Sequence, residues 1–194
     1  VEEWYIESCK KIKYMFPKAH AVAYVMMAFR IAYFKVYEPL AYYTAYFGIR
    51  AKAFDYELMC LGKEKLENTM KEYKKRFNDL SKKEQDSYGD MRIVQEMYAR
   101  GYEFEPIDLF QASAYDFQIV NDRLMPALCT IEGMGGKAAE AVVEAAKDGP
   151  FTSVENFKQR AKVSGTTAEK MKSLNLLGDI PMTDQMSLAD FFVS

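Results

Sequence analysis

Residue types that mark metal-binding and disulfide-rich proteins are scarce in this chain. Among 194 residues there are one histidine, one tryptophan and three cysteines. The cysteines, Cys9, Cys60 and Cys129, lack the short spacings of zinc ligands, and their odd number leaves one without a disulfide partner. The sequence therefore predicts no metal site. It favours free thiols in a reducing compartment, and we expect a cytoplasmic location.

A surplus of one charge and a long apolar run are also missing. The chain has 26 Lys and Arg against 28 Asp and Glu, so it lacks the basic surplus of many nucleic-acid-binding domains. Its apolar run, residues 19–32, contains Arg30 and is followed by Lys35, which makes it too short and too charged for a membrane span. We recognise no signal peptide and expect no membrane partner. Because the first residue is Val1 and not Met, we expect the chain to be cut from something larger.

What is abundant suits a mainly helical protein with a substantial core. Hydrophobic residues make up 49% of the chain, including 14 Tyr, 13 Phe and 12 Met. Residues 18–37 follow Pro17, a residue favoured at helix starts, and are apolar on nearly every side. This pattern predicts a buried helix that stops before Pro39. Residues 40–49 predict an aromatic-rich partner helix.

Residues 55–101 are more charged and predict amphipathic helices. Gly62 interrupts the first, and Ser81 with Glu84 has the spacing of a capping box at the start of a later one. A run of cations in this region is balanced by nearby glutamates, so we interpret it as a solvated helix face. Those cations are Lys71, Lys74, Lys75 and Arg76. Beyond Gly101, residues 107–110 and 117–120 predict short strands, with Asn121-Asp122 as a turn.

The most informative motif is the glycine-rich stretch 131–138, Ile-Glu-Gly-Met-Gly-Gly-Lys-Ala, which precedes a helical pattern over 139–145. Glycines permit a turn whose N–H groups point outward, and such a turn at a helix N-terminus binds phosphate. Lys137 adds a cation, and nothing in the motif suits base reading. Upstream apolar residues would form the first helix of a helix-hairpin-helix element: Leu124, Met125, Leu128 and Ile131. The alternative is a packing corner that needs glycine only for steric reasons.

A second unit of this kind follows. Ser153 predicts an N-cap, and the turn 164–167 precedes a helical pattern over 168–174. Two such units in tandem strengthen the DNA-binding interpretation. The predicted contacts with the DNA backbone are Gly133, Met134, Gly135, Gly136 and Lys137 in the first unit, and Gly165, Thr166 and Thr167 in the second.

The tail after Pro181, which we predict to end the folded part, carries large apolar side chains that need a partner. A glutamine, a leucine three residues later and two aromatics have the spacing of sliding-clamp-binding peptides. The alternative is a tail that folds back on its own domain. The residues predicted to contact a clamp are Gln185, Met186, Leu188, Phe191 and Phe192.

The block Met15–Val25 holds the only histidine, His20, two positions after Lys18. On charge alone, a lone histidine at a helix start favours a structural or solvent-facing role. However, this block and residues 30–40 resemble the fingers of the C-family bacterial replicative DNA polymerases, most closely their PolC type. The resemblance continues through residues 99–102, the strand pair, the glycine hairpin and the tail, in the same order.

The resemblance implies a mainly α protein in which a helical fingers segment precedes a small tandem helix-hairpin-helix domain with a short β-hairpin. Residues 1–105 would be the C-terminal part of the fingers, 106–180 the duplex-binding domain, and 181–194 a clamp-binding tail. That tail has two more residues before its aromatic pair than the pentapeptide usual in PolC. The candidates for contact with the incoming nucleotide are Lys18, His20, Arg30 and Lys35.

The resemblance also implies partners: primer–template duplex, incoming dNTP, a sliding clamp and the remainder of the polymerase chain. Nucleotidyl transfer needs paired carboxylates that hold two metal ions. In this family they lie in the palm, so we expect Mg²⁺ there, no cofactor here, and no activity of this chain alone. One alternative is a non-catalytic adaptor that tethers a partner to the clamp. Another is a helix-hairpin-helix repair glycosylase that uses Asp148, although Asp148 lies in a turn without a nearby base pocket.

Overall fold

A computed structural model describes residues 1–12 and 16–184 and confirms a mainly α fold. Contacts divide the chain into two compact units, Val1–Tyr42 and a second that begins at Tyr43. The first unit contains α1 (Glu3–Lys11) and α2 (Lys18–Tyr37), and α3 (Pro39–Ala45) crosses the division and continues as a π-helical turn over Tyr46–Arg50. The second unit contains α4 (Tyr56–Met59), α5 (Lys63–Lys75), α6 (Lys82–Ala99), β1 (Gln118–Val120), β2 (Arg123–Met125), α7 (Gly136–Lys147), α8 (Val154–Ala161) and α9 (Gly165–Ser173). The predicted functional boundary at residue 105 stays a prediction.

The helix predicted over residues 18–37 has those bounds, with Pro17 as its N-cap. The prediction that it is buried is wrong for this chain, because none of its residues is buried and Phe29 is 72% exposed. A helix that is apolar all round is covered only when neighbours surround it, and the 42 residues of the first unit are too few to do so.

The charged helices of the second unit start where the sequence predicts. At the start of α6, Ser81 Oγ accepts the N–H of Glu84 (3.3 Å), and Glu84 Oε2 accepts the N–H of Ser81 (2.8 Å), which is the predicted capping box. Gly62 is the N-cap of α5. The four cations interpreted as a solvated face are exposed: Lys71, Lys74, Lys75 and Arg76.

The strand pair differs in part from the prediction. β1 and β2 are antiparallel, Val120 is paired with Arg123, and the turn between them uses the predicted Asn121 and Asp122, with φ of 52° and 56°. Residues 107–110 form no strand. There Asp108 Oδ1 accepts the N–H of Phe110 (2.8 Å), a local bond that favours a turn over a sheet.

The segment before the first glycine hairpin is also different. Leu124 and Met125, predicted in a helix, lie in β2. Only a single 3₁₀ turn, Leu128–Thr130, follows. Ladder pairing with β1 takes the first half of the apolar stripe, so too few residues remain before Gly133 for a full helix.

The core of the second unit lies beneath α7, α8 and α9. Its fully buried side chains include Leu128, Val142, Phe157 and Met171, and burial of each such side chain contributes about 1.5–3 kcal/mol. Arg160 of α8 also fixes the far end of α7, because its Nη2 donates to the carbonyl oxygens of Ala145 (2.6 Å) and Gly149 (2.9 Å). These contacts hold the helices that carry both hairpins.

Candidate nucleic-acid interface

The first hairpin is a tight turn anchored in the core. The N–H of Met134 donates to the carbonyl oxygen of Ile131 (3.0 Å), and Gly133 has φ +79°, a conformation in which a side chain is strained. The Met134 side chain is only 5% exposed, so this residue can offer a ligand its backbone alone. Gly135, the N-cap of α7, has φ −70° and does not need to be glycine for its conformation.

The start of α7 is open. No side chain caps it, and the N–H of Ala139 is the first to bond within the turn, to the carbonyl oxygen of Gly135 (3.0 Å). Within the described part of the chain, the amides of residues 136–138 have no hydrogen-bond acceptor, and Lys137 is exposed without an ion pair. Three free N–H groups at the positive end of a 12-residue helix are an arrangement that suits a phosphate.

The second hairpin is partly closed. Ser164 is the N-cap of α9, and its Oγ accepts the N–H of Thr167 (3.1 Å). The Thr167 side chain is also buried, so of the three predicted contacts in this unit the amides of Gly165 and Thr166 are the open ones. Lys158 of α8 adds a cation here: its Nζ lies 3.6 Å from the position that a Cβ on Gly165 would occupy.

A third helix start in this unit is closed by the chain itself. The N–H groups of Val154 and Glu155, at the start of α8, donate to the carbonyl oxygens of Pro181 (2.9 Å) and Met182 (3.1 Å). The prediction that the folded part ends at Pro181 is therefore wrong, because ordered pairing continues past it. Since these amides are occupied, α8 offers no anion site, unlike α7 and α9.

Two residues beside the hairpins were not found from the sequence. Lys158 stands seven positions before Gly165, and only the path of the intervening turn brings the two together. Tyr115 lies 21 positions before Gly136, yet its hydroxyl oxygen is 2.5 Å from the position that a Cβ on Gly136 would occupy. No local sequence signal points to a pair so far apart in the chain.

The charges around the first hairpin are mixed. Lys170 of α9 forms ion pairs with Glu57 of α4 and with Glu132 of the hairpin (Nζ–Oε2 3.5 Å). The hydrogen bond to Glu57 raises the pKa of Lys170 above its ordinary value, with a smaller contribution from Glu132. The negative charge of Glu132 beside the open amides is thus partly compensated. The hairpin also borders a cavity of about 610 Å³ that extends to α4 and α6.

The nucleotide-binding candidates of the first unit are spread along α2. Lys18 begins the helix, and the His20 ring packs against Phe16 and Tyr24. Arg30 lies farther along, and the Lys35 ammonium lies 5.2 Å from the centre of the Tyr42 ring. A helix rises 1.5 Å per residue, so Lys18 and Lys35 are about 25 Å apart along the axis and on different sides of it. Helix geometry brings Lys18 and His20 within one turn but not all four candidates to one site.

The residues predicted to contact a clamp lie outside the described residues: Gln185, Met186, Leu188, Phe191 and Phe192. Among residues 1–12 and 16–184, no cluster of His, Cys, Asp and Glu has the arrangement of a metal site. None of the helices in this described part has the length and apolar character that crossing a bilayer requires.

Comparison with known proteins agrees with this geometry. Residues 101–185, which include both hairpins, match the family model of the helix-hairpin-helix motif. The chain is 50% identical over 192 residues to DNA polymerase III PolC-type of Streptococcus suis (strain 98HAH33), which covers 98% of the chain. The corresponding proteins of Streptococcus pneumoniae serotype 2 (strain D39 / NCTC 7466) and Streptococcus sanguinis (strain SK36) are each 47% identical over 98% and 99% of it.

The chain is homologous to a segment of the PolC-type DNA polymerases III. It spans about 13% of the length of the curated relatives it matches. The resemblance seen in the sequence is therefore confirmed, and so is a helix-hairpin-helix motif in its second half. By their printed name these relatives are DNA polymerases.

Proposed function

We propose that this chain is the part of a replicative DNA polymerase that holds the primer–template duplex by its sugar-phosphate backbone. The observation that carries the proposal is the set of open amides at residues 136–138, beside the exposed Lys137. The helix-hairpin-helix match and the identity to PolC-type polymerases support it. Backbone amides contact phosphates alike in every sequence, which suits an enzyme that copies any template.

Two contacts of unequal strength would hold the duplex. The first uses three amides and Lys137, and the second uses the amides of Gly165 and Thr166 with Lys158. Each cation neutralises a phosphate and releases counterions. With a net charge of −2, the chain would hold DNA through these local donors and not through a broadly basic surface.

The first unit would belong to the fingers, with Lys18 and His20 near the phosphates of the incoming dNTP and Arg30 and Lys35 as further candidates. We propose that the exposed apolar α2 packs against the remainder of the polymerase chain. The support is that the PolC-type relatives are far longer than this chain, which matches about 13% of each. A helix with Phe29 72% exposed needs such a cover.

The tail would dock on a sliding clamp through Gln185, Met186, Leu188, Phe191 and Phe192. Catalysis would lie elsewhere in the nucleotidyltransferase. The Mg²⁺ of nucleotidyl transfer would be bound by the palm, and this chain alone would be inactive. Among the described residues, no three His, Cys, Asp or Glu side chains form a group that could hold a metal ion. We place the protein in the bacterial cytoplasm, at the nucleoid.

The alternative is a non-catalytic adaptor that tethers a partner to the clamp. The identity to PolC-type polymerases over 98% of the chain, the predicted fingers block included, favours the polymerase. The geometry disfavours a glycosylase. Asp148 is the C-cap of α7, and the helix between it and the hairpin is about 18 Å long.

Duplex binding by the full 194-residue chain tests the proposal. Fluorescence anisotropy measures the affinity for two duplexes of unrelated sequence. The variants Lys137→Gln and Lys158→Gln are compared with Lys147→Gln. Lys147 lies on the same helix as Lys137, at the opposite end, in an ion pair with Glu144. We expect each of the first two changes to weaken binding to both duplexes equally and to reduce the salt slope by about one. The control should change neither quantity.

Two results would contradict the proposal. One is a change in sequence preference after either substitution, because a backbone contact reads no bases. The other is an equal loss for Lys147→Gln, which would mean that any lysine of the surface contributes and that the hairpins are not special.

A further inference from the structure

Gly136 makes room for an aromatic ring. It lies inside α7 with ordinary helical geometry, so its backbone does not require glycine. A Cβ at this position would lie 2.5 Å from the hydroxyl oxygen and 2.9 Å from Cε1 of Tyr115. The ring of Tyr115 therefore rests directly on the first turn of α7, beside the open amides of residues 136–138.

The ring is held in place from two sides. Its hydroxyl donates to Glu140 Oε1 (2.9 Å), and Glu140 is one turn along α7 from Gly136, on the same face of the helix. At its base, the N–H groups of Tyr115 and Asp116 donate to Ser113 Oγ (3.4 and 3.2 Å). The bond to Glu140 also raises the pKa of Tyr115.

A ring fixed in this way is still available to a ligand. Tyr115 is 48% exposed, although a large aromatic side chain gains most when it is covered. A nucleic-acid backbone alternates charged phosphates with sugars whose carbon atoms form apolar patches. A group of amides with an apolar ring next to it matches that alternation.

We propose that Tyr115 is a DNA-contacting residue of the first hairpin, whose ring packs against a deoxyribose next to the phosphate held by the amides of residues 136–138. Glu140 positions the Tyr115 ring, and Gly136 leaves room for the ring because it has no side chain. This inference rests on the proposed function. It adds a contact with the sugar to a site otherwise made only of phosphate donors.

Substitutions of Glu140 show whether it acts on DNA binding by positioning Tyr115 or only by its surface charge. Its carboxylate lies one turn from the open amides and repels a phosphate there, so charge alone would favour its absence. Glu140→Gln keeps an oxygen that accepts the Tyr115 hydroxyl and removes the charge. Glu140→Ala removes both the charge and the acceptor. The two substitutions therefore change DNA affinity in opposite directions only if the bond to Tyr115 has a role in binding.

The test measures duplex affinity and its salt slope for the complete chain. We expect Tyr115→Ala to weaken binding about fivefold, as the loss of one aromatic contact does, with an unchanged salt slope because no charge is removed. Gly136→Ala should weaken binding by displacing the ring. In a Tyr115→Ala background, Gly136→Ala should have no further effect. Glu140→Gln should bind at least as tightly as the unmodified chain, and Glu140→Ala more weakly. Circular dichroism checks that each variant folds.

Phe110→Ala is the matched control. Phe110 is 57% exposed in the same unit but packs near Phe151, beyond the far end of α7, so its loss should leave DNA affinity unchanged. If the unmodified chain fails to bind duplex, the proposed function fails. If it binds and Tyr115→Ala binds equally well, or Gly136→Ala weakens binding regardless of residue 115, the role of Tyr115 alone is overturned.

Discussion

The two hairpins begin their helices in different ways. α7 starts at Gly135 without a capping side chain and leaves three amides open. α9 starts at Ser164, whose hydroxyl takes the N–H of Thr167 and leaves two. A cap stabilises a helix by satisfying an amide, and the same amide is then unavailable to a phosphate. The first hairpin is therefore built more for a ligand and the second more for its own stability.

The start of α8 completes this series, because the carbonyl oxygens of Pro181 and Met182 occupy its first amides. The source of the nearby positive charge also differs between the two hairpins. The first hairpin has its lysine within the motif, at Lys137, whereas the second has Lys158 from the preceding helix. If the comparison holds, changes to the turn of the first hairpin affect DNA binding, and changes to the capping residue of the second affect folding more than binding.

The largest effect is expected from Gly133→Ala. At φ +79° a side chain costs about 1–2 kcal/mol, so the turn will shift and misplace the amides of residues 136–138. We expect duplex affinity of the complete chain to fall by about tenfold, the factor that 1.4 kcal/mol represents. Anisotropy titration measures it.

Gly178→Ala is the control for Gly133→Ala. Gly178 has φ +62°, so an alanine there has a similar backbone cost, but it follows the end of α9 opposite Gly165 and lies beside Phe110 and Phe151. It should lower the melting temperature without lowering DNA affinity. Equal loss of affinity in both variants would mean that the first hairpin acts only through general stability.

Ser164→Ala should have a smaller effect. It should lower the stability of the protein without lowering its affinity for DNA. Loss of the cap should cost about 1 kcal/mol of unfolding free energy. The released amide of Thr167 leaves the second hairpin with one more donor, so duplex affinity should stay the same or rise. Urea denaturation and anisotropy on the same protein separate the two quantities.

Ser153→Ala is the matched control, because it also removes a serine N-cap. Ser153 Oγ accepts the N–H of Asn156 (3.0 Å), but the amides before it are already bonded to the chain. It should lose stability without any gain in affinity. A marked fall in affinity for Ser164→Ala alone would break the comparison, because the hydroxyl of Ser164 would then itself be a DNA contact.

The sequence predicts local features of this molecule well because local bonds determine them. The capping box at Ser81, the cap at Ser153 and the turn at Asn121 each depend on residues within a few positions of one another. The bounds of α2 follow from Pro17 and Pro39 in the same way.

What the sequence misses depends on neighbours that no local pattern specifies. The burial of α2 is decided by what surrounds it, and its composition alone suggests a cover that the first unit does not have. β2 takes Leu124 from a predicted helix because β1 offers it a ladder. The placement of Tyr115 on Gly136 needs the whole path of the intervening chain.

The smallest expected effect concerns the charge next to the first hairpin, which has no counterpart in the turn at residues 164–167. Glu132 is an acid beside the open amides, compensated in part by Lys170 at 3.5 Å. Glu132→Gln removes its repulsion of a phosphate, so affinity should rise about twofold at low salt and less as salt screens the charge. The control is Glu144→Gln, an acid near the far end of α7 in an ion pair with Lys147, which should leave the affinity unchanged. If Glu132→Gln weakens binding instead, the carboxylate acts by positioning Lys170. In that case the difference between the hairpins depends on this ion pair as well as on the number of open amides.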